Sequence, residues 1–289
     1  MNQEHKVVKA NYLVNLKTPY SYSEVEKKII CSIVAKVLPT DEDFKNYEIP
    51  LSELGLNFTD SKNHSKYIKK SKEWDKLTVE KHRTEKNIFD LIMSKPINLP
   101  NNDGLVNWFS WIRLNEEEKI IECRFDKALK PYLLQLKENF TSYHLKNVLT
   151  LRSSYAIDVY ELCKQFMPDP TSEAIKENKV VNFAFRTINL QEFRDLLHIP
   201  ESYKNNDVSR LLEKVVEDIN EKTNLFITFK MQKKGRKFSS IRFDIERKSY
   251  RENKLNDSPD EVVLEEMSNN NYFEAPEDSI LNPKNFNKN

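Results

Sequence analysis

The chain has 289 residues, 46 Lys and Arg against 45 Asp and Glu, and a net charge of +1. That length suits two domains of ordinary size, and the near-neutral total excludes a uniformly basic nucleic-acid coat. Only three glycines occur, Gly55, Gly104 and Gly235, so neither G-x-G-x-x-G nor G-x-x-x-x-G-K-[ST] can be written and no phosphate-cradling loop of those kinds exists.

Charge is unevenly placed. Residues 251–289 hold nine acids and four bases, net −5, which leaves +6 on residues 1–250. A moderately basic body with an acidic tail fits a nucleic-acid binder, and it also fits an ordinary soluble protein. Cys31, Cys123 and Cys163 each sit in an apolar run, as small core residues of a reducing compartment do. The start, MNQEHKVVKA, has no apolar signal core, and no stretch approaches membrane-spanning length. The expectation is a soluble, cytoplasmic protein without a membrane partner.

In chain order, residues 1–22 read as an extended piece built on KVVKANYLVNL. Ser23 with Glu26 forms a capping box, and Val25, Ile29, Ile30, Ile33, Val34, Val37 and Leu38 continue as a helix that Pro39 stops. Tyr47–Ile49 is a short strand, and Pro50–Leu54 a small helix ended by Gly55. Residues 61–83 are basic, with Tyr67 and Trp74 interleaved; such a run is most often a solvated helix face. Asn87–Met93 is apolar at helical spacing. Then come strands at Ile97–Leu99, Val106–Leu114 and Lys119–Phe125, joined by a turn through Asp103-Gly104 and by the acidic turn Asn115–Glu118. Trp108, Phe109 and Trp111 there suit a core better than a base-stacking platform.

The central stretch FTSYHLKNVLTLRSSYAIDVYELCKQFM, from Phe140, gives two helices, the second with a wide apolar side. Residues 168–178 form a polar linker and 180–186 an alternating strand. Asn189 caps a helix carrying Leu190, Phe193, Leu196 and Leu197, stopped at Pro200. Asn205, Asn206 or Asp207 caps the most regular helix, with Val208, Leu211, Leu212, Val215, Val216 and Ile219 in one stripe. Two alternating strands, 225–231 and 238–245, flank a tip rich in cations. After Lys248 the apolar density collapses, and residues 251–289 read as a disordered acidic tail.

Strand, helix, turn, helix and a basic hairpin make a winged helix. The second helix can place its N-terminal end in a major groove while the wing reaches flanking phosphates. Tyr203, Lys204, Asn205, Asn206, Ser209, Arg210 and Lys214 suit base reading, because Asn pairs with adenine and Arg with guanine. Lys233, Lys234, Arg236 and Lys237 suit phosphate contact. The competing view is a solvated helix and a polar turn that keeps a sheet edge soluble. The first half repeats the order less clearly. Its reading helix falls within Thr78–Ser94, or else within Lys66–Lys76, with Lys66, Lys69, Lys70, His82, Arg83, Lys86 and Asn87 as candidate DNA contacts. The fold class is therefore α+β: two tandem winged-helix domains, residues 1–139 and 140–250, and a tail, 251–289.

Several residues carry a family resemblance: Leu129, Pro131, Tyr132, Leu133, Phe140, Thr141, Tyr143, Leu149, Ser154, Tyr155, Ile157, Tyr160, Glu161, Leu162, Ile219, Asn220 and Thr223. With them the chain resembles the replication initiator (Rep) proteins of iteron-bearing bacterial plasmids, over about residues 7–247. The resemblance implies tandem winged-helix domains in a bacterial cytoplasm. It implies monomers on directly repeated origin sites, in equilibrium with a homodimer that represses at an inverted operator. It also implies contacts with a host initiator and the replicative helicase. One departure is Asp158, where the family usually has Arg; Ala156 stands for Ser beside it.

Other functions remain open to the sequence. A winged-helix transcription regulator shares the same DNA chemistry, and a protein-binding winged helix shares the fold. A tyrosine-nucleophile nicking enzyme would need clustered metal ligands, whereas His5, His64, His82, His144 and His198 are isolated. No catalytic residue, metal or cofactor is expected.

Overall fold

The computed structural model describes residues 5–54, 71–74, 83–86, 88–100, 104–170, 172–177 and 179–257. The chain opens with β1 (Lys6–Ala10) and α1 (Asn11–Val14), not one extended piece. The ladder of β1 ends at Ala10, and the next amide, Asn11 N–H, donates to Asn139 O at 2.6 Å. With no partner strand beyond that point, the backbone turns helical. Helix α2 (Glu24–Val34) starts at the expected capping box: Ser23 N–H donates to Glu26 Oε2 at 2.7 Å and Glu26 N–H to Ser23 Oγ at 3.3 Å. It stops before Pro39, where its end tightens into a three-residue turn, Lys36 N–H to Ile33 O.

Strand β2 (Tyr47–Pro50) and a 3₁₀ turn over Leu51–Leu54 follow. Residues expected in a basic reading helix instead supply β3 (Ser71–Trp74) and β4 (Arg83–Lys86), an antiparallel pair. The register sets Ser71 opposite Lys86 and Trp74 opposite Arg83. Only α3 (Ile88–Met93) of the predicted Thr78–Ser94 helix is helical among the described residues. Strands β5 (Ile97–Asn98) and β6 (Leu105–Val106) close on a turn that Gly104, at φ +106°, completes.

Strands β7 (Phe109–Asn115) and β8 (Ile120–Phe125) join β2 in the order β2-β8-β7. Phe125 is the hub of this core, with ring centroids 5.1 Å from Phe44, 5.5 Å from Tyr47 and 5.2 Å from Phe109. Trp108 and Phe109 are buried as expected, while Trp111 is half-buried under the Arg113 guanidinium.

Helix α4 (Lys130–Leu133) leads to β9 (Phe140–His144), which pairs antiparallel with β1. Helices α5 (Leu145–Thr150) and α6 (Ser154–Lys164) follow, the latter capped by Ser153 accepting from Ala156 N–H. A buried ionic knot holds α6 to the first sheet. Glu161 accepts from Lys9 Nζ at 2.7 Å and from the Tyr143 hydroxyl. Burial, the largest single influence, pulls the Lys9 pKa down, but the charges of Glu161, Cys31 and Asp158 and the hydrogen bond to Glu161 together outweigh it and leave the pKa raised. Asp158, at the place of the family's usual Arg, pairs with Lys27 of α2, which also donates to Ser154 O at 3.3 Å.

After a short helix α7 (Ser172–Lys176), strand β10 (Phe183–Asn189) begins three residues later than predicted. Its partner strand runs out at Arg247, whose amide bonds Asn182 O. Helices α8 (Leu190–Leu197) and α9 (Asn205–Lys222) lead to β11 (Leu225–Lys234) and β12 (Lys237–Arg247), in the sheet order β10-β12-β11. Helix α9 starts at Asn205; Asp207 is not its cap but reaches back from the first turn to accept Lys204 N–H at 2.9 Å. Val208, Leu212, Val215 and Ile219 are buried. Each contributes about 1.5–3 kcal/mol, enough to anchor one face and leave the other in solvent. The segment predicted as tail opens with helix α10 (Lys248–Asp257), whose Arg251 stacks 3.8 Å over Phe226 and bonds Glu246 at 2.9 Å. Residues 258–289 lie outside the described residues.

The two halves are fastened to each other. Helix α6 packs on both α2 and α9. Arg186 of β10 donates to Leu162 O at 3.0 Å and to Asn15 Oδ1 at 2.9 Å. Asn224 Oδ1 accepts from the Tyr160 hydroxyl at 3.1 Å and from Asn147 Nδ2 at 3.2 Å.

Candidate nucleic-acid interface

The second half presents a helix end, a tight interhelical turn and a hairpin to the same solvent region. Asn189 starts α8 by accepting from Gln191 N–H at 2.8 Å and Glu192 N–H at 3.3 Å. The helix ends at His198, in the left-handed region at φ 52°, and Ile199 N–H returns to Arg194 O at 3.0 Å. Burial, then the Lys27 charge, holds the His198 imidazole pKa below its ordinary value. Tyr203 N–H closes the turn on Pro200 O at 3.0 Å.

Arg194 then bridges the turn. Its Nη2 donates to Tyr203 O at 2.9 Å and lies 3.4 Å from Asn205 Oδ1. The start of α9 is thus fixed before any ligand arrives. Tyr203, Lys204, Asn206, Arg210 and Lys214 are exposed there, while Asn205 and Ser209 are half-buried. Ser209 Oγ is 3.4 Å from Glu213 Oε1. Arg210 and Lys214 lie on the outer face of α9, away from its buried stripe.

The wing is longer than the sequence suggested, because both strands run on to Lys234 and Lys237. Gly235, at φ +66°, makes the sharp tip possible. Lys233, Lys234, Arg236 and Lys237 are all exposed, and Lys233 sits 4.8 Å over the Phe238 ring. An open cleft separates wing from helices, and Asn205, Arg236 and Lys237 line it together. A second cleft is shared by Tyr203, Lys204 and Asn205. Asn189, Gln191 and Arg194 line the first cleft too, and sequence reasoning missed them. The available signal was their place off the apolar stripe of α8.

The first half differs. Lys66, Lys69, Lys70, His82 and Asn87 lie outside the described residues. Arg83 and Lys86 are in a strand, not on a helix, because their backbone pairs with Trp74 and Ser71. The β7–β8 tip carries Glu116, Glu117 and Glu118, all exposed, so this hairpin tip is acidic where the other is basic. Among the described residues, no group of three or more His, Cys, Asp and Glu can hold a metal ion, and no helix is long and apolar enough to cross a membrane.

The family comparison matches this arrangement. The family model described as "Initiator Replication protein, WH1" matches residues 6–164, and "Initiator Rep protein, WH2" matches residues 189–245. The chain belongs to the initiator replication protein family. Its architecture is two winged-helix domains, as the sequence predicted. The initiator is similar in fold to a solved structure titled "Crystal structure of Pi initiator protein in complex with iteron DNA". The TM-score is 0.58 at 17% identity, covering 86% of this chain and 99% of that one. No curated protein matches the initiator in sequence.

Proposed function

We propose that this initiator binds directly repeated double-stranded sites, iterons, at a plasmid origin and starts replication there without making or breaking a covalent bond. Family membership supports the initiator role, and a structure of similar fold is titled as a complex with iteron DNA. The observation that carries the reading is the pairing of an exposed, pre-braced helix start with an exposed four-cation wing across one open cleft.

In this reading Tyr203, Lys204, Asn205, Asn206, Ser209, Arg210 and Lys214 face base edges, and Lys233, Lys234, Arg236 and Lys237 hold phosphates. The first domain meets DNA through its basic 61–83 region, because its hairpin tip is acidic. The chain works in the bacterial cytoplasm. Two heads on one chain engage successive major-groove faces, which favours repeats of about 20 base pairs, two helical turns. Monomers take the repeats, a homodimer represses at an inverted operator, and host initiator and helicase are recruited.

An origin assay tests the function. A replicon that carries the DNA flanking the coding region should replicate only where this chain is supplied. Replication without the chain would overturn the proposal, as would DNA binding without replication, which is the behaviour of a transcription regulator.

A further inference from the structure

We propose that the cleft between α8, the start of α9 and the wing is a dedicated site for one DNA backbone phosphate, with Arg194 as the ligand that ties this phosphate to the reading helix. The inference rests on the DNA-binding reading above and adds a residue and a coupling to it.

Arg194, Arg236 and Lys237 line one open cleft together with Asn189, Gln191 and Asn205, and none of its lining residues is acidic. The cleft on the other side of Arg194 is different, since Asp195 and Glu201 line it. Three cations that share an open cleft without a carboxylate repel one another, and a bound anion relieves that repulsion. The start of α8 is not the anion ligand, because Asn189 already accepts its Gln191 and Glu192 amides. The ligands are the side-chain cations.

Arg194 is suited to two tasks at once. Its Nη2 is committed to Tyr203 O and Asn205 Oδ1. The planar guanidinium has five N–H donors in a fixed fork, and Nη1 and Nε make no hydrogen bond within the described residues. Those donors match the two free oxygens of a phosphodiester, while Arg236 and Lys237 approach from the wing wall. A phosphate seated there clamps the guanidinium that positions Asn205. Phosphate contact and base reading are therefore coupled.

The experiment uses the full chain and the duplex that it selects from a random pool. Each phosphate of that duplex is replaced in turn by a neutral methylphosphonate. One position should cost the wild type roughly tenfold in affinity. Arg194→Gln should cost roughly tenfold on the unmodified duplex and be insensitive to that same position. Its discrimination between selected and random DNA should also narrow. Arg236→Gln should show the same insensitivity, which keeps the test decisive if the first variant folds poorly. Losses that add at every phosphate overturn the proposal and leave DNA binding intact, as does an Arg194→Gln protein with wild-type affinity. A wild-type chain that selects no duplex overturns the DNA-binding reading itself.

Discussion

Neutralising the wing isolates the phosphate contribution. The perturbation is Lys233, Lys234, Arg236 and Lys237 all to Gln in the full chain. All four side chains are exposed at the hairpin tip, so the fold should be indifferent to the change. Each phosphate neutralised contributes about −0.9 to the slope of log K against log salt. Four contacts amount to roughly −3.6, or roughly a 150-fold affinity change between 50 and 200 mM salt. Lys233 is held 4.8 Å over the Phe238 ring. If the ring keeps it from DNA, three contacts remain, and the slope change is about 2.7. The assay is fluorescence anisotropy over a salt series, on cognate and on random duplexes. The variant should bind both more weakly, the cognate duplex somewhat more so because Arg236 and Lys237 also hold the phosphate coupled to base reading, with a slope shallower by about 2.7–3.6 on both. An unchanged slope, or a loss confined to the cognate duplex, would refute a phosphate-holding wing.

Arg210→Ala removes a side chain from the outer face of α9; discrimination at one or two base pairs should fall by about 1–3 kcal/mol, and equal losses on cognate and random duplexes would reject base reading. Lys9→Met leaves Glu161 buried without its cation. Urea unfolding should show a loss of about 3–5 kcal/mol, most of it recovered by Lys9→Met with Glu161→Leu; a mild single variant would contradict the ionic knot. Burial raises the Asp158 carboxyl above its ordinary value although Lys27 opposes it. The folded state then holds that proton more readily, so the contribution is present below the ordinary Asp value and lost as pH rises through the raised one. The wild-type advantage over Asp158→Asn in urea midpoint should shrink across that window, and a constant difference would contradict the burial effect.

The second domain was legible because its signals are local. Asn189 and the 208–219 stripe state the helices, and Gly235 among cations states the wing. Cap position was less legible, since Asp207 acts from inside the first turn of α9, and Asn, Asn and Asp compete for that role in sequence. The first domain misled because a run of basic residues alone does not separate a solvated helix from a strand pair. Residues 83–86 become a strand through pairing with 71–74, which no window of either segment contains. The Arg194 bridge was invisible because its partners, Tyr203 O and Asn205, are defined only by how the turn folds. Asp158 stood out in sequence only as a departure from the Arg that the resemblance implies; the structure gives it Lys27, a partner 131 residues away that no local pattern points to.

Footprinting of the DNA that flanks the coding region tests most directly whether two winged-helix heads read repeated sites. Hydroxyl-radical protection should appear on directly repeated segments, in two patches about one helical turn apart within each repeat, and should vanish from a shuffled duplex. Uniform protection of both duplexes, or one patch per site, would contradict two reading heads on one chain.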